Sequence, residues 1–429
     1  MDCMKCDFLV VGAGVVGLST AYYLKKREPS RDVLVIDKLP GPGQGNSAKS
    51  EGGYRNMFTS ETNYLLADTS IDFFHHLQTE LGYDVKLNPI GYLWLFTEEK
   101  YQGVKHALEA LEGKGVQLEV LTQAEVAERV PALRTDLSGD EEAELMGLGN
   151  VEYGVLGKKC GSLDADALVR AYESEFLKLG GRVQYNTEAK ALLVGPQEEL
   201  GIPGEPFVWQ EKEVKGVSTD KGVLEAETTV VACGAWASAL MDPVGLDCLM
   251  RPKKRQLFAF KDPKVEPAMK TQGLNHEGVL PLTILPTANI LLKSELSEGS
   301  IWLGCADWIP RKFALEEDPQ PEPEYYTNNI YHALVKYFPC FQDVRPMNSW
   351  AGLYAINTFD ETPVVYRENG FVYTGACSGS GIMKSDALGR ITAAACLQEE
   401  EAELFGGRRF RVSDLGIHHR RVEPEDFIL

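Results

Sequence analysis

The sequence predicts an α/β (α+β) fold with two domains, one on a parallel sheet and one on a mixed, mainly antiparallel sheet. Three observations predict it. The first forty residues read strand, glycine turn, helix, strand. Short apolar runs that suit buried parallel strands recur far apart, at 8–11, 33–36, 228–233 and 371–374. Between them, strand-like runs crowd residues 91–96 and 250–310. At 429 residues the chain is long enough for two intertwined domains. The expected division is discontinuous: 1–90, 155–250 and 345–429 in the first domain, 91–154 and 251–344 in the second.

Each element has a local reason. Residues 16–26 read as a helix, with Leu18, Ala21, Tyr22 and Leu24 available for packing. Residues 39–53 form a loop rich in Gly, Pro and Ser. In 61–81, Ala67, Ile71, Phe74, Leu77 and Leu81 make one helical stripe. A strand follows at 91–96 and a helix at 101–114. Asp164 is the natural N-cap of a helix over 163–179. Residues 182–194 and 214–227 read as antiparallel strands around a polar insert. Strands at 290–293 and 301–305 and helices at 325–337 and 384–397 complete the chain. The acidic runs 140–144 and 399–403 read as solvated surface.

Composition narrows the function. Hydrophobic residues are 44% and charged residues 25%, an ordinary globular balance. A formal net charge of -20 argues against nucleic acid as the main partner, since phosphates demand surplus Lys and Arg. An anionic substrate would need a local cationic site against that field. No apolar run is long enough to cross a membrane, and the N-terminus lacks a signal-peptide pattern. A soluble cytoplasmic protein is expected, with peripheral membrane contact and oligomerisation left open. The nine cysteines are scattered, as expected of reduced core thiols. Cys3 and Cys6 form a lone CxxC without the second pair a zinc site needs, and the seven histidines have no metal spacing. No metal is expected.

Gly12-Ala13-Gly14-Val15-Val16-Gly17 follows a buried strand and opens a helix, the context a dinucleotide fingerprint requires. Gly12 permits the tight turn, Gly14 lets a pyrophosphate approach the backbone, and Gly17 lets helix and strand pack closely. The start of the helix, through Val16, offers free N–H groups to phosphate. Asp37 lies twenty residues after Gly17, where its carboxylate can accept from a ribose hydroxyl and repel a 2′-phosphate. That favours FAD or NAD over NADP. The loop that follows, with Ser47, Ala48, Lys49, Ser50 and Gly52, is small and polar enough to lie along an extended cofactor.

These segments, together with Gly161-Ser162-Leu163-Asp164, Thr229 to Trp236, Trp350 to Tyr354 and Gly375 to Lys384, resemble the D-amino-acid oxidase-like flavoproteins. The resemblance is greatest to the sarcosine oxidase, dimethylglycine dehydrogenase and dye-linked proline dehydrogenase branch, and it runs along nearly the whole chain. It implies a Rossmann-like FAD domain and a flavin-facing substrate domain. It puts Asp37 and Lys38 by the ribose, Ala189 by the adenine, and Cys233, Gly234 and Trp236 by the pyrophosphate. Gly379, Ser380, Gly381, Ile382 and Met383 would wrap the flavin ring. The helix after Lys384 would aim its N-terminus at the charge that reduced flavin carries.

Departures from the family pattern matter as much. Gly352 stands where monomeric sarcosine oxidases carry the cysteine bonded to flavin, which implies dissociable FAD. Trp302 stands where the oxidases carry a lysine that promotes reaction with oxygen, which implies a dehydrogenase passing electrons to a quinone, flavoprotein or ferredoxin. Phe58 and Met383 occupy the positions of the family's two carboxylate-binding cations, and Ser380 replaces a histidine. Arg55 and Lys384 are nearby and become the candidate substrate groups. Tyr354 becomes the candidate wall beside the ring, and Asp307 and Trp308 further candidate pocket residues. The implied reaction is oxidation of a small secondary or tertiary amine, of proline or N-methyl amino acid type, by hydride transfer to flavin N5. A 2-hydroxy acid or polyol phosphate dehydrogenase, and a non-catalytic flavin-binding assembly factor, are the alternatives.

Overall fold

The computed structural model describes residues 4–287, 289–307 and 309–427, so Cys3 and Trp308 lie outside the described residues. Its frame is two eight-stranded sheets. The first centres on β1 (Met4–Val11), whose Leu9 and Val10 are wholly buried. β2 (Val33–Ile36) runs parallel to β1 on one side and Gly222–Val231 parallel on the other. Arg182–Gln184 adds to β2 and Phe371–Gly375 to Gly222–Val231, both parallel. The fully apolar runs are therefore interior strands, as burial on both faces demands.

Helix α1 (Val15–Arg27) packs on this sheet with Ala165–Lys178 and Ser385–Cys396 around one apolar core. Lys25, Lys26 and Arg27 occupy its last turn, where positive charge suits the helix dipole. Beneath the helices, the fully buried Asp386 accepts from Tyr23 Oη, from Tyr172 Oη at 3.3 Å and from Arg390 Nε at 2.7 Å. Asp164 caps Ala165–Lys178 by accepting from the Asp166 and Ala167 N–H groups.

The second sheet runs in the order Asn348–Ile356, Arg251–Phe260, Ser300–Cys305, Ile290–Glu295, Leu282–Ile284, Tyr92–Phe96, Tyr153–Gly157, Leu118–Thr122. Every pairing is antiparallel except Leu282–Ile284 with Tyr92–Phe96. A Rossmann-like sheet beside a mixed, mainly antiparallel one is the architecture expected from sequence. The second sheet reaches past the expected boundaries, since Tyr153–Gly157 and Asn348–Ile356 both belong to it.

Four local expectations need correction. The 182–194 run is two strands: Arg182–Gln184 joins β2, and Ala189–Pro196 pairs with Lys212–Thr219. The 214–227 run is a hairpin, because Asp220 and Lys221 turn the chain between Lys212–Thr219 and Gly222–Val231. α2 (Glu61–Thr79) stops before Leu81, which stays exposed. In the 140–144 run, Asp140 caps the short helix Glu141–Leu145 and pairs with Arg134 and Lys336, so this carboxylate does structural duty.

Candidate active site

The glycine turn closes against the chain just after the neighbouring strand, Gly222–Val231. Gly12 has φ +111°, and a Cβ there would sit 2.6 Å from the Ala232 carbonyl oxygen. A Cβ on Gly17 would overlap the Gly12 carbonyl, so α1 can lie on the turn only without one. No side chain caps α1 at Gly14, and its first-turn N–H groups lack internal partners. Ser47 Oγ takes one of them, from Val15 at 3.1 Å. Asp37 does more than sequence suggested: Oδ2 accepts from Ala13 N at 2.7 Å and Oδ1 from Leu39 N at 2.8 Å. It braces the turn, and its remaining lone pairs are what a ribose hydroxyl can use.

From this turn a cavity of about 390 Å³ runs between the sheets. Gly12, Gly14, Val16, Asp37 and Lys38 line its first part with Ala189. Cys233, Gly234 and Trp236 line it opposite Ser47, Lys49 and Ser50. A segment of the second domain crosses here. Glu317 pairs with Lys38 and accepts from Trp236 Nε1 at 3.0 Å, while Glu316 pairs with Lys254 at 3.2 Å. Burial pulls the Lys38 ammonium below its ordinary range.

The far part is walled by Gly352, Tyr354, Gly379, Gly381, Ile382 and Met383. Gly379 has φ +91° and passes so close to the Tyr354 ring that a Cβ would strike it. Beside Gly352, on the neighbouring strand, stand Arg255 and Gln256, which sequence reasoning missed. Arg255 places its guanidinium 5.4 Å from the Tyr354 ring centroid and donates Nη1 to Asp307 Oδ1 at 3.2 Å. Its Nε is buried without a partner, and so is Gln256 Nε2. Unpartnered buried donors on a cavity wall are costly unless a ligand accepts from them. The basic run Arg251-Pro252-Lys253-Lys254-Arg255, against a net charge of -20, was the signal that marked this strand.

Several sequence candidates stand elsewhere. Arg55 does not line the cavity: Nη1 bonds the Met57 carbonyl, and the guanidinium lies 4.0 Å from the Phe58 ring centroid. Lys384 is also behind the wall, donating to Asn63 Oδ1 at 2.7 Å, and burial lowers its ammonium to about 7. Both cations are spent on the aromatic and amide groups around Phe58, because two adjacent loops turn them into the core. Gly17, Ala48, Gly52 and Ser380 support the wall from behind; Ser380 Oγ, for example, donates to the Cys377 carbonyl at 2.8 Å. Asp307 sits behind Arg255, held by Arg311 Nε at 2.7 Å. Trp302 does not line the cavity; its ring packs edge-on to Trp350 and under the Lys293 ammonium.

A family model described as FAD dependent oxidoreductase matches residues 7–395. The chain belongs to this family. FAD-dependent oxidoreductase domain-containing protein 1 of Xenopus laevis is 23% identical over 421 residues, covering 91% of this chain and 78% of that protein. Sarcosine oxidase subunit beta of Arthrobacter sp is 23% identical over 427 residues, covering 96% and 93%. Among solved structures, the L-proline dehydrogenase from P. horikoshii superposes with TM-score 0.72 at 24% identity, over 92% of this chain and 93% of that one. Glycine oxidase from Geobacillus kaustophilus superposes with TM-score 0.71 at 20% identity, over 92% and 96%.

The residues of this FAD-dependent oxidoreductase fit its cofactor. The glycine cradle at Gly12 and the uncapped N-terminus of α1 suit a pyrophosphate. The cavity continues from there to the loop before Ser385–Cys396, so its lining joins the glycine turn to the glycine-rich segment at Gly379. Among the described residues, no cluster of His, Cys, Asp and Glu is arranged to hold a metal. Among the described residues, no helix is long and apolar enough to cross a membrane.

Proposed function

We propose that this oxidoreductase dehydrogenates a small amino acid whose nitrogen is a secondary or tertiary amine, proline and N-methyl amino acids being the type. Arg255 is the observation that carries the reading. It is a fork of donors on the cavity wall, beside Tyr354, with a buried Nε that no protein group satisfies. A planar carboxylate is the anion such a fork grips best. A sarcosine oxidase subunit beta and an L-proline dehydrogenase are similar to this chain over matching lengths and support the same class.

Residues 1–90, 155–250 and 345–429 hold FAD, and 91–154 with 251–344, joined by the strand Asn348–Ile356, carry the substrate wall. Bound FAD supplies a two-electron acceptor, at N5, for a hydride from the substrate α-carbon. The protein orients and shields. Arg255 anchors the carboxylate, Tyr354 walls the ring side and Gln256 Nε2 offers a further donor. Asp307 is shared with Arg311 and so keeps Arg255 aimed.

The flavin is held without a covalent bond. Gly352 offers no nucleophile, and burial raises the cavity thiols, Cys233 to about 12, Cys377 to about 11 and Cys305 in the same direction, which keeps them protonated at neutral pH. The electron acceptor is a quinone, flavoprotein or ferredoxin rather than oxygen. In support, Trp302 replaces the oxidases' lysine. The nearby Lys293 ammonium is committed to the Glu51 carbonyl at 2.5 Å and to Glu295 at 2.9 Å.

The test is the visible spectrum of the purified protein, before and after acid precipitation, then after anaerobic addition of amines and hydroxy acids. Yellow colour that leaves with the supernatant and is bleached by L-proline or an N-methyl amino acid supports the reading. Colour retained in the pellet refutes non-covalent binding. Bleaching by hydroxy acids alone refutes the amine class.

A further inference from the structure

One acidic side chain in the cavity has no assigned role. Glu51 lines it, and among the described residues its carboxylate has no hydrogen-bond partner. Its backbone is pinned, because the buried Lys293 ammonium donates to the Glu51 carbonyl at 2.5 Å. The residue is half-buried and lines the cavity. Lys293 and Glu295 face it from Ile290–Glu295. Tyr92 faces it from Tyr92–Phe96 and Tyr354 from Asn348–Ile356, near enough for its charge to raise both phenols. Arg255 lies beyond Tyr354, and Arg55 beyond Tyr92.

We propose that Glu51 is the base that takes the proton from the substrate's ammonium nitrogen inside the cavity. The inference rests on the amine reading above. A secondary amine enters mainly as its ammonium at neutral pH, because its ordinary pKa is about 10, like that of lysine. An ammonium has no lone pair to drive hydride loss from the adjacent carbon. In the step, one N–H bond breaks and its electron pair stays on nitrogen. An O–H bond forms on the Glu51 carboxylate, and total charge is unchanged. Arg255 and Glu51, which both line the cavity with Tyr354, then match the two charges of a zwitterionic amino acid.

The protonation state suits this use. Burial raises the Glu51 carboxyl to about 7, with Lys293 opposing the rise. Below that pH the group carries its own proton and cannot accept another. Above it, the carboxylate is ready and its basicity is far greater than that of an exposed glutamate.

Two measurements on the FAD-loaded protein test the proposal. The first compares anaerobic flavin bleaching by L-proline in the wild type and in Glu51→Gln from pH 6 to 10. The wild-type rate constant at low substrate should rise through about pH 7. The variant's should follow the free amine, falling about 100-fold below wild type at pH 7.5 and within about 3-fold at pH 10. Parallel profiles overturn the role of Glu51 while leaving the amine reading intact. Failure of any amine to bleach the wild type overturns both.

The second measurement needs no turnover. α-Aminoisobutyrate has no α-hydrogen to lose, so it binds without reacting. With phenol red in weak buffer at pH 8, its binding to the wild type should release fewer than about 0.2 protons per ligand, because Glu51 retains the proton. Release of about one proton per ligand overturns the proposal. In Glu51→Gln, release of about one proton is expected.

Discussion

Replacing Arg255 with Met removes the cavity's fork of donors while keeping the length and apolar stem of the side chain. Fold and cofactor should survive. Asp307 retains Arg311 Nε at 2.7 Å, so no buried carboxylate is orphaned, and the strand's pairing with Asn348–Ile356 is backbone. The cost falls on the substrate carboxylate. A charge-assisted bond in a partly dry site contributes about 1.5–3 kcal/mol, and the Arg255 side chain is only 11% exposed. A loss of about 2–3 kcal/mol is about 30–150-fold in affinity. In an anaerobic stopped-flow titration, the Kd for L-proline should rise by that factor. The Kd for pyrrolidine, which lacks the carboxylate, should stay within about 3-fold. Arg255→Lys should fall between, keeping charge but losing the fork. Equal losses for proline and pyrrolidine would show that Arg255 supports the cavity rather than gripping an anion, and would refute the reasoning.

Other substitutions probe other parts of the argument. Gly17→Ala should push α1 off the glycine turn at about 1–3 kcal/mol and weaken FAD at least about 10-fold by fluorescence titration; an unchanged Kd would contradict the cradle. Asp386→Ala leaves the Arg390 cation and two phenols unpaired under the helices, and urea unfolding should show a loss of about 3–5 kcal/mol; a loss under about 1 kcal/mol would refute that account. Lys384 tests pH linkage. Its folded pKa of about 7 lies below its ordinary value, so folding favours the neutral amine. Its stability contribution is full above about 10.5 and is lost as pH falls through about 7. Lys384→Met should therefore gain most over wild type below pH 7, by roughly 3 kcal/mol, with the gain shrinking toward pH 10. A pH-independent difference in urea unfolding would contradict it.

Local chemistry made much of the cofactor half legible. The strand, the turn and α1 are specified by neighbours in sequence, and Gly12, Gly14 and Asp37 all line the cavity as expected. Gly379 to Met383 was readable for the same reason, being a glycine-rich turn between a buried strand and a helix. The substrate half was not. Arg55 and Lys384 have the right charge and the right neighbourhood, yet they turn inward to Phe58 and Asn63. A shift of one residue reverses which way a side chain faces, and nothing local sets that choice.

By itself, then, the sequence determined the fold class, the glycine turn, the family and most of the segments that line the cavity. Each depends on short-range geometry: a tight turn, a buried strand, a helix start. Only the tertiary structure decided which charges share the cavity. Arg255 and Glu51 are about two hundred residues apart in the chain, and the second sheet's pairing brings them to one site. Their roles follow from burial and from the donors and acceptors left unpaired there, quantities that exist only once the two sheets have closed on each other.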